Sequence, residues 1–282
     1  MQVIRSIKDM QASSRQFRSH GKTIGFVPTM GALHEGHLSL VRCAKEENDV
    51  TVVSIFVNPI QFGPKDDFDR YPRDIKGDLD KLLPLGVDVV FIPQVQDMYP
   101  GGFSTTIDVG SIGEVLCGVA RPGHFNGVAV VVAKLFNIVT PHKVYFGQKD
   151  FQQSVVIKKI VRELNFDIDI VVCPTVREAD GLAMSSRNSY LNETERKSAG
   201  VLYRALRHCE GLIARGIRNS VRIKEEMENI IKSEPMVKIE YIEIVEPESL
   251  KEVKTIESPV VICLAVRIGT TRLIDNIVVS PC

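Results

Sequence analysis

Short apolar runs rich in Val and Ile recur through the first part of the chain, at Lys22–Val27, Val50–Val57, Val87–Ile92, Lys143–Gly147 and Ile168–Cys173. Between them lie stretches with helical periodicity, His37–Glu47, Ile75–Leu85, Gly127–Thr140 and Phe151–Leu164. The first kind predicts strands buried on both faces and the second predicts helices. Their alternation predicts βαβ units wound into a parallel sheet, which takes its ligands beyond the carboxyl ends of its strands.

After about Thr175 the pattern changes. A polar loop, Arg177–Leu191, leads into helical stretches at Glu193–Arg215 and Val221–Ser233, then strand-like runs at Lys238–Val245, Val260–Ala265 and Arg272–Val278. Helices followed by strands predict a smaller α+β domain. The expected fold class is therefore α/β, a doubly wound parallel sheet over residues 1–175 with a smaller C-terminal α+β domain over 176–282.

Composition narrows the function without choosing it. The 282 residues suit two domains of ordinary size, and 44% hydrophobic with 25% charged residues is a globular balance. Lys+Arg and Asp+Glu both number 35, so no global charge draws the chain to nucleic acid or to an acidic membrane. The first twenty residues lack a signal-peptide core, and no apolar run approaches the ~18 residues that span a bilayer. The longest, Val128–Val139, is interrupted by Lys134 and Asn137 and predicts a buried helix. Cys43, Cys117, Cys173, Cys209, Cys263 and Cys282 are scattered without a CxxC pair, as expected of reduced thiols in a cytoplasm, with Cys282 exposed at the terminus. The Asn192 sequon is a chance match in that setting.

Four polar segments fall after predicted strands. The first, Phe26–Val41, reads as strand, glycine-flanked turn and helix start, with His34 and His37 around Gly36. Unpaired N–H groups and the helix dipole attract phosphate there, and histidine adds donors. Gly31 and Gly36 have the spacing of a P-loop, but His37 and Leu38 stand where that loop needs Lys and Ser/Thr. A zinc site needs a different His spacing and a third ligand, and simple helix capping by the two histidines stays open.

The second segment, Asn58–Phe62, can present Gln61 to a small substrate or can be an ordinary Asn-Pro turn. In the third, Gly147–Gln153, glycine allows close backbone approach and Lys149 supplies a cation, while Asp150 and Gln153 also fit a capping box. In the fourth, Ala183–Asn188, two hydroxyls and Arg187 suit a triphosphate on a loop able to close, or an interdomain linker. Arg121–Phe125 could add an anion contact or be a plain loop.

With PTMGALHEGH at 28–37, FVNPIQF at 56–62, RPGHFNGV at 121–128, FGQKDFQQ at 146–153 and PTVREADGLAMSSRN at 174–188, the chain resembles the pantoate–β-alanine ligase family over almost its whole length. HEGH and MSSRN are similar to the HIGH and KMSKS signatures of the wider nucleotidyltransferase superfamily, which includes class I aminoacyl-tRNA synthetases. The resemblance implies a Rossmann-like domain with a smaller C-terminal domain, a cytoplasmic homodimer, and the ATP- and Mg2+-dependent joining of (R)-pantoate to β-alanine. It implies ATP contacts from Met30, Gly31, Ala32, Leu33, His34, Glu35, Gly36, His37, Gly147, Gln148, Lys149, Asp150, Val176, Met184, Ser185, Ser186 and Arg187. Gln61 and Gln153 would hold pantoate, and His37 would act as the acid catalyst beside His34, Lys149 and Arg187. Two rivals remain: a transferase that keeps the nucleotide on its product, and a nucleotide-binding module without turnover. Release of AMP separates them.

Overall fold

The structure, a computed structural model, describes residues 1–64 and 66–281, so the expectation for Cys282 lies outside the described residues. In chain order the elements are β1 (Gln2–Ile4), α1 (Ile7–Ser19), β2 (Ile24–Thr29), α2 (Glu35–Glu47), β3 (Val50–Ile55), α3 (Ile75–Leu82), β4 (Val89–Phe91), α4 (Val95–Met98), α5 (Cys117–Ala120), α6 (His124–Val139), β5 (Lys143–Gly147), α7 (Phe151–Glu163) and β6 (Asp169–Cys173). Then follow α8 (Glu193–Ala199), α9 (Val201–Ala214), α10 (Ser220–Lys232), β7 (Val237–Val245), β8 (Val260–Ile268) and β9 (Thr271–Val279). Two compact units result. The first holds Met1–Glu114, Gly118–Gly147 and Val156–Pro174; the second holds Val115–Cys117, Gln148–Val155 and the chain from Thr175 onward.

The first unit is built on a six-stranded sheet in the order β1-β4-β3-β2-β5-β6, parallel throughout. This is the wound sheet that the hydrophobic pattern predicts. Val27, Val53 and Val90 stand in register and pack against Leu40, Val41 and Ala44 of α2 and Leu82 of α3. Side chains alternate along a strand, so Phe26, Val52 and Val89 point to the opposite face, where α1 and α6 pack on β2 and on each other. Val128–Val139 does lie in a helix buried nearly all round, despite its two polar interruptions.

Strands β3 and β4 run out on one side of β2, while β5 and β6 lie on the other. The strand order therefore reverses between β2 and β5. These two pair only through Gly25–Lys143 and Phe26–Val144, which frees their carboxyl halves at the switch point where wound sheets bind ligands.

Four elements escape the hydrophobic pattern, among them the four-residue helices α4 and α5. Helix α1 is mostly polar and buries only Met10 and Ser14, so no apolar run marks it; Ser6 starts it, accepting a bond from the Asp9 N–H at 3.4 Å. Strand β1 is three residues long, too short for alternation to show.

In the second unit β7-β8-β9 form an antiparallel sheet with α9 and α10 against one face. Leu202, Leu206, Ile213, Met227 and Ile231 of the helices meet Ile242, Ile244, Ile262, Leu264 and Val266 of the strands. The expected single helix Glu193–Arg215 is two, parted at Gly200. Strand β8 is buried on both faces apart from Arg267. Its second face is covered from within the unit: Cys117 Sγ lies 3.2 Å from the Tyr241 hydroxyl, and Asn276 Nδ2 donates to the Gln148 carbonyl at 3.0 Å. Cys43, Cys117, Cys173, Cys209 and Cys263 are free thiols, and burial pushes Cys173 and Cys209 up to about 12, so these two stay protonated at neutral pH.

Candidate active site

The chain leaves β2 at Thr29 and must start α2 at Glu35 with its amides turned to the switch point. It does so through two left-handed residues, Gly31 (φ 82°) and Ala32 (φ 50°). A side chain at Gly31 would meet Asp78 Oδ2 at 2.9 Å and Ile55 Cγ2 at 3.0 Å, so glycine is required twice over. The turn exposes two amides inside the protein, and one carboxylate takes both. Ala32 N–H donates to Asp78 Oδ2 at 2.9 Å and Leu33 N–H to Asp78 Oδ1 at 2.7 Å. Three residues along α3, Lys81 Nζ donates to the Leu33 carbonyl at 2.6 Å. Burial pushes the Asp78 carboxyl above its usual range, against the pull of the two amides and Lys81.

His34 is the N-cap of α2. Its Nδ1 accepts from Gly36 N–H at 3.2 Å, and His37 Nδ1 accepts from His34 N–H at 3.3 Å. The capping reading of the two histidines is therefore correct. It does not displace the chemical reading. With each Nδ1 accepting, the bonding pattern assigns the ring proton of each neutral imidazole to Nε2. The rings stand 4.1 Å apart at the helix start, a pair of donors beside the dipole's positive end. Glu35 is ion-paired with Arg42 on the outer side.

Gln61 lies on the other side of the same loop. Its Nε2 approaches Met30 Sδ at 3.4 Å, and its Oε1 accepts from Asn58 Nδ2 at 2.9 Å. Asn58 is locked in turn: its Oδ1 accepts from the Tyr99 hydroxyl at 2.7 Å and its Nδ2 reaches the Gly127 carbonyl at 3.2 Å. A Cβ on Gly127 would come within 2.6 Å of the Ile60 carbonyl and 2.8 Å of Gln61 Cα. Only glycine lets α6 seat the 59–61 turn. The Arg121–Phe125 segment also serves that turn, because His124 Nδ1 lies 2.8 Å from the Gln61 carbonyl and Arg121 bonds Asp66 at 2.9 Å. Burial would raise Asp66, but the guanidinium and the Gly63 amide hold its carboxyl below the usual range.

Gly147 closes β5 at the switch point. Gln148, Lys149 and Asp150 form a tight 3-10 turn of the second unit, with Lys149 Nζ 3.7 Å from Asp150 Oδ1. The two glutamines at the start of α7 divide the work. Gln152 is spent on structure, accepting from Cys117 N–H at 3.0 Å and donating to the Val115 carbonyl at 2.8 Å. Gln153 is half-buried beside it. Val176 begins a hairpin, its carbonyl accepting from Met184 N–H at 3.0 Å and Arg177 bridging to Ala183. Ser185 then caps a short 3-10 turn, Ser186–Tyr190, accepting from Arg187 N–H at 3.3 Å. Ser185, Ser186 and Arg187 thus project from a hydrogen-bonded turn.

The first unit brings together 30–37 and Gln61; Lys149, Gln153, Val176 and 184–187 belong to the second. Sequence reasoning missed Asp78, Lys81 and Tyr99, which lie outside the quoted motifs, and the work of Gly127 and Gln152, which lie inside them but act on distant segments.

A wound parallel sheet with a polar helix start at its switch point defines a nucleotide-binding α/β protein. The family model for pantoate-beta-alanine ligase matches residues 2–278, and the chain belongs to that family. It is 57% identical over 280 residues to the pantothenate synthetase of Caldicellulosiruptor saccharolyticus, covering 99% of this chain and 100% of that one. A solved pantothenate synthetase from Thermus thermophilus superposes with a TM-score of 0.94 at 44% identity over 98% of this chain and 99% of that one. A Francisella tularensis pantoate-beta-alanine ligase, solved with beta-gamma ATP and beta-alanine, gives a TM-score of 0.82 at 37% identity over 98% and 97%.

Replacing Asp78 by Asn leaves one loop amide facing an amide group instead of an acceptor. The expected loss is about 1–3 kcal/mol of stability in urea denaturation. An unchanged midpoint and slope would show that the carboxylate does not clamp the turn.

Proposed function

We propose that the chain condenses pantoate with β-alanine at the expense of ATP through a pantoyl adenylate, and that the loop after β2 serves the first step. The observation that carries this reading is the His34–His37 pair at the α2 start, each Nδ1 turned inward to a backbone amide. Family membership and the ligands of the Francisella tularensis structure support it.

A carboxylate is a poor acyl donor because oxide would have to leave. In the first step a pantoate carboxylate oxygen attacks the α-phosphorus in line, the bond to the bridging oxygen breaks, and pyrophosphate departs. Catalysis here is positioning and charge neutralisation. Met30–His37 receives the nucleotide, and the Nε2–H groups of His34 and His37 donate to the α-phosphate and to the bridging oxygen as negative charge builds. His37 is the acid. Gly147, Gln148, Lys149, Asp150 and Val176 complete the ATP contacts, while Lys149, Ser185, Ser186 and Arg187 hold the β and γ phosphates. Met184 leads that loop, which closes and excludes water from the adenylate.

Gln61 and Gln153 hold pantoate. In the second step the neutral β-alanine nitrogen attacks the acyl carbon, the acyl–oxygen bond to AMP breaks, and the nitrogen loses a proton. No covalent enzyme nucleophile is needed.

Among the described residues no three His, Cys, Asp or Glu side chains converge on one point. Mg2+, which the family resemblance implies, would neutralise charge on the β and γ phosphates. Asp150, half-exposed beside Lys149, is a carboxylate that could help hold it. The reading includes a homodimer in the cytoplasm, supported by the family resemblance; among the described residues no helix is long and apolar enough to cross a membrane.

His37→Ala is expected to slow adenylate formation by roughly 10²–10³, the scale for losing one transition-state donor. Single-turnover quenched flow reads it, and an unchanged rate removes His37 from the chemistry. Gln61→Ala and Gln153→Ala are expected to weaken pantoate binding in calorimetry while ATP affinity is retained. The reverse pattern would refute the pocket assignment.

A further inference from the structure

Two polar residues stand side by side in the middle of β9, Asp275 and Asn276, and both are 2% exposed. Side chains alternate along a strand, so adjacent residues face opposite ways. Burying polar groups on both sides of one strand is costly unless each is fully bonded. Here each is.

Asn276 serves the Lys149 turn. Its Nδ2 donates to the Gln148 carbonyl at 3.0 Å and to the Lys149 carbonyl at 2.9 Å, and its Oδ1 lies 3.5 Å from Gln148 Nε2. An amide nitrogen has two hydrogens, and both are used on successive carbonyls of a turn too short to satisfy them itself. Neither Asp nor Leu, of nearly the same size, could donate either bond.

Asp275 serves the hairpin that ends in 184–187. Arg177 reaches it with both terminal nitrogens, Nη1 to Oδ2 at 2.6 Å and Nη2 to Oδ1 at 3.0 Å. Arg177 Nη1 also donates to the Gly181 carbonyl at 3.0 Å, and the guanidinium lies 4.2 Å from the Tyr203 ring centre. Gly181 (φ 92°) closes the hairpin so near Tyr203 that a Cβ would sit 2.0 Å from the ring. The hairpin root is therefore held from two sides. Asp275 Oδ1 also accepts from the Asn276 N–H at 2.8 Å, which joins the two arms in one network.

We infer that Asp275 and Asn276 are positioning residues for the nucleotide: one strand fixes the Lys149 turn and the Ser185–Arg187 turn in a single frame, so both close on the triphosphate in register. This rests on the nucleotide role proposed above for Lys149 and 184–187. Neither residue touches substrate; each acts through a segment that does. Misplacing a contact by an ångström costs far more in rate than in stability, which separates positioning from mere support.

The test is a pair of double-mutant comparisons on the full chain, read as the ATP dependence of single-turnover adenylate formation at saturating pantoate. Asn276→Ser and Asn276→Asp are each expected to raise the half-saturating ATP concentration roughly 10–10²-fold, with pantoate affinity by calorimetry unchanged. In a Lys149→Ala background Asn276→Ser should add less than about twofold, because the two act as one unit. Asp275→Asn should be non-additive with Arg187→Ala in the same way, and this arm keeps the inference open to refutation if the Asn276 variants fold poorly. Effects that multiply independently, or equal weakening of ATP and pantoate, would overturn it. So would an Asn276→Ser enzyme with normal ATP dependence while Lys149→Ala is impaired. Should Lys149→Ala itself leave ATP dependence unchanged, the nucleotide role of Lys149 is what fails, and the inference falls with it.

Discussion

A single buried carboxylate, Asp78, makes the rest of the first unit's site possible. Starting α2 toward the switch point needs a reversed turn with two residues in left-handed space, one of them Ala32, a conformation that costs on the order of 1–3 kcal/mol for a residue with a side chain. The turn also strands two amides away from water. Asp78 takes both, and Lys81 on the next turn of α3 takes the Leu33 carbonyl. Those bonds offset part of the cost of burying the charge, and burial still leaves the carboxyl above its usual range. Without them the α2 start would be free to swing, and the histidines with it.

Given that frame, the structural and chemical roles of the polar residues are not rivals. His34 and His37 cap the helix with Nδ1, and the same bonds orient Nε2 outward from the backbone. Asn58 holds Gln61 by its side chain, while α6 holds the turn through the close approach at Gly127. In the second unit Gln152 anchors the start of α7 so that Gln153 beside it is free of that task. Gln61 and Gln153 are thus each set by a neighbour that holds the backbone or side chain beside it.

Much of this was legible in the sequence, and the reason is range. Strand runs such as Val50–Ile55 are buried on both faces and advertise themselves as apolar blocks, so the wound sheet follows from pattern alone. Three of the four site segments sit immediately after such strands, where contiguous glycine and polar residues carry the signal, and the fourth follows β6 after a short hairpin. What stayed hidden acts across the chain. Asp78 bonds Leu33 over 45 positions, and Asn276 bonds Gln148 over 128, with no local spacing to reveal either. One trace was present: Asp275–Asn276 breaks the alternation of β9, as buried polar pairs in a strand must. Helix α1 was missed because it is mostly polar and buries only Met10 and Ser14, and the split at Gly200 because that residue keeps right-handed helical backbone (φ −60°, ψ −17°), so no break shows in the pattern.

Whether this fold makes pantoate reactive by joining it to a nucleotide is read most directly from the products it forms. Mixing enzyme, pantoate and MgATP without β-alanine, quenching with acid and weighing the products by mass spectrometry tests it directly. Pantoyl adenylate in amounts matching the enzyme, with an equal yield of pyrophosphate, is the predicted result. Intact ATP, or release of inorganic phosphate with no adenylate, would contradict it.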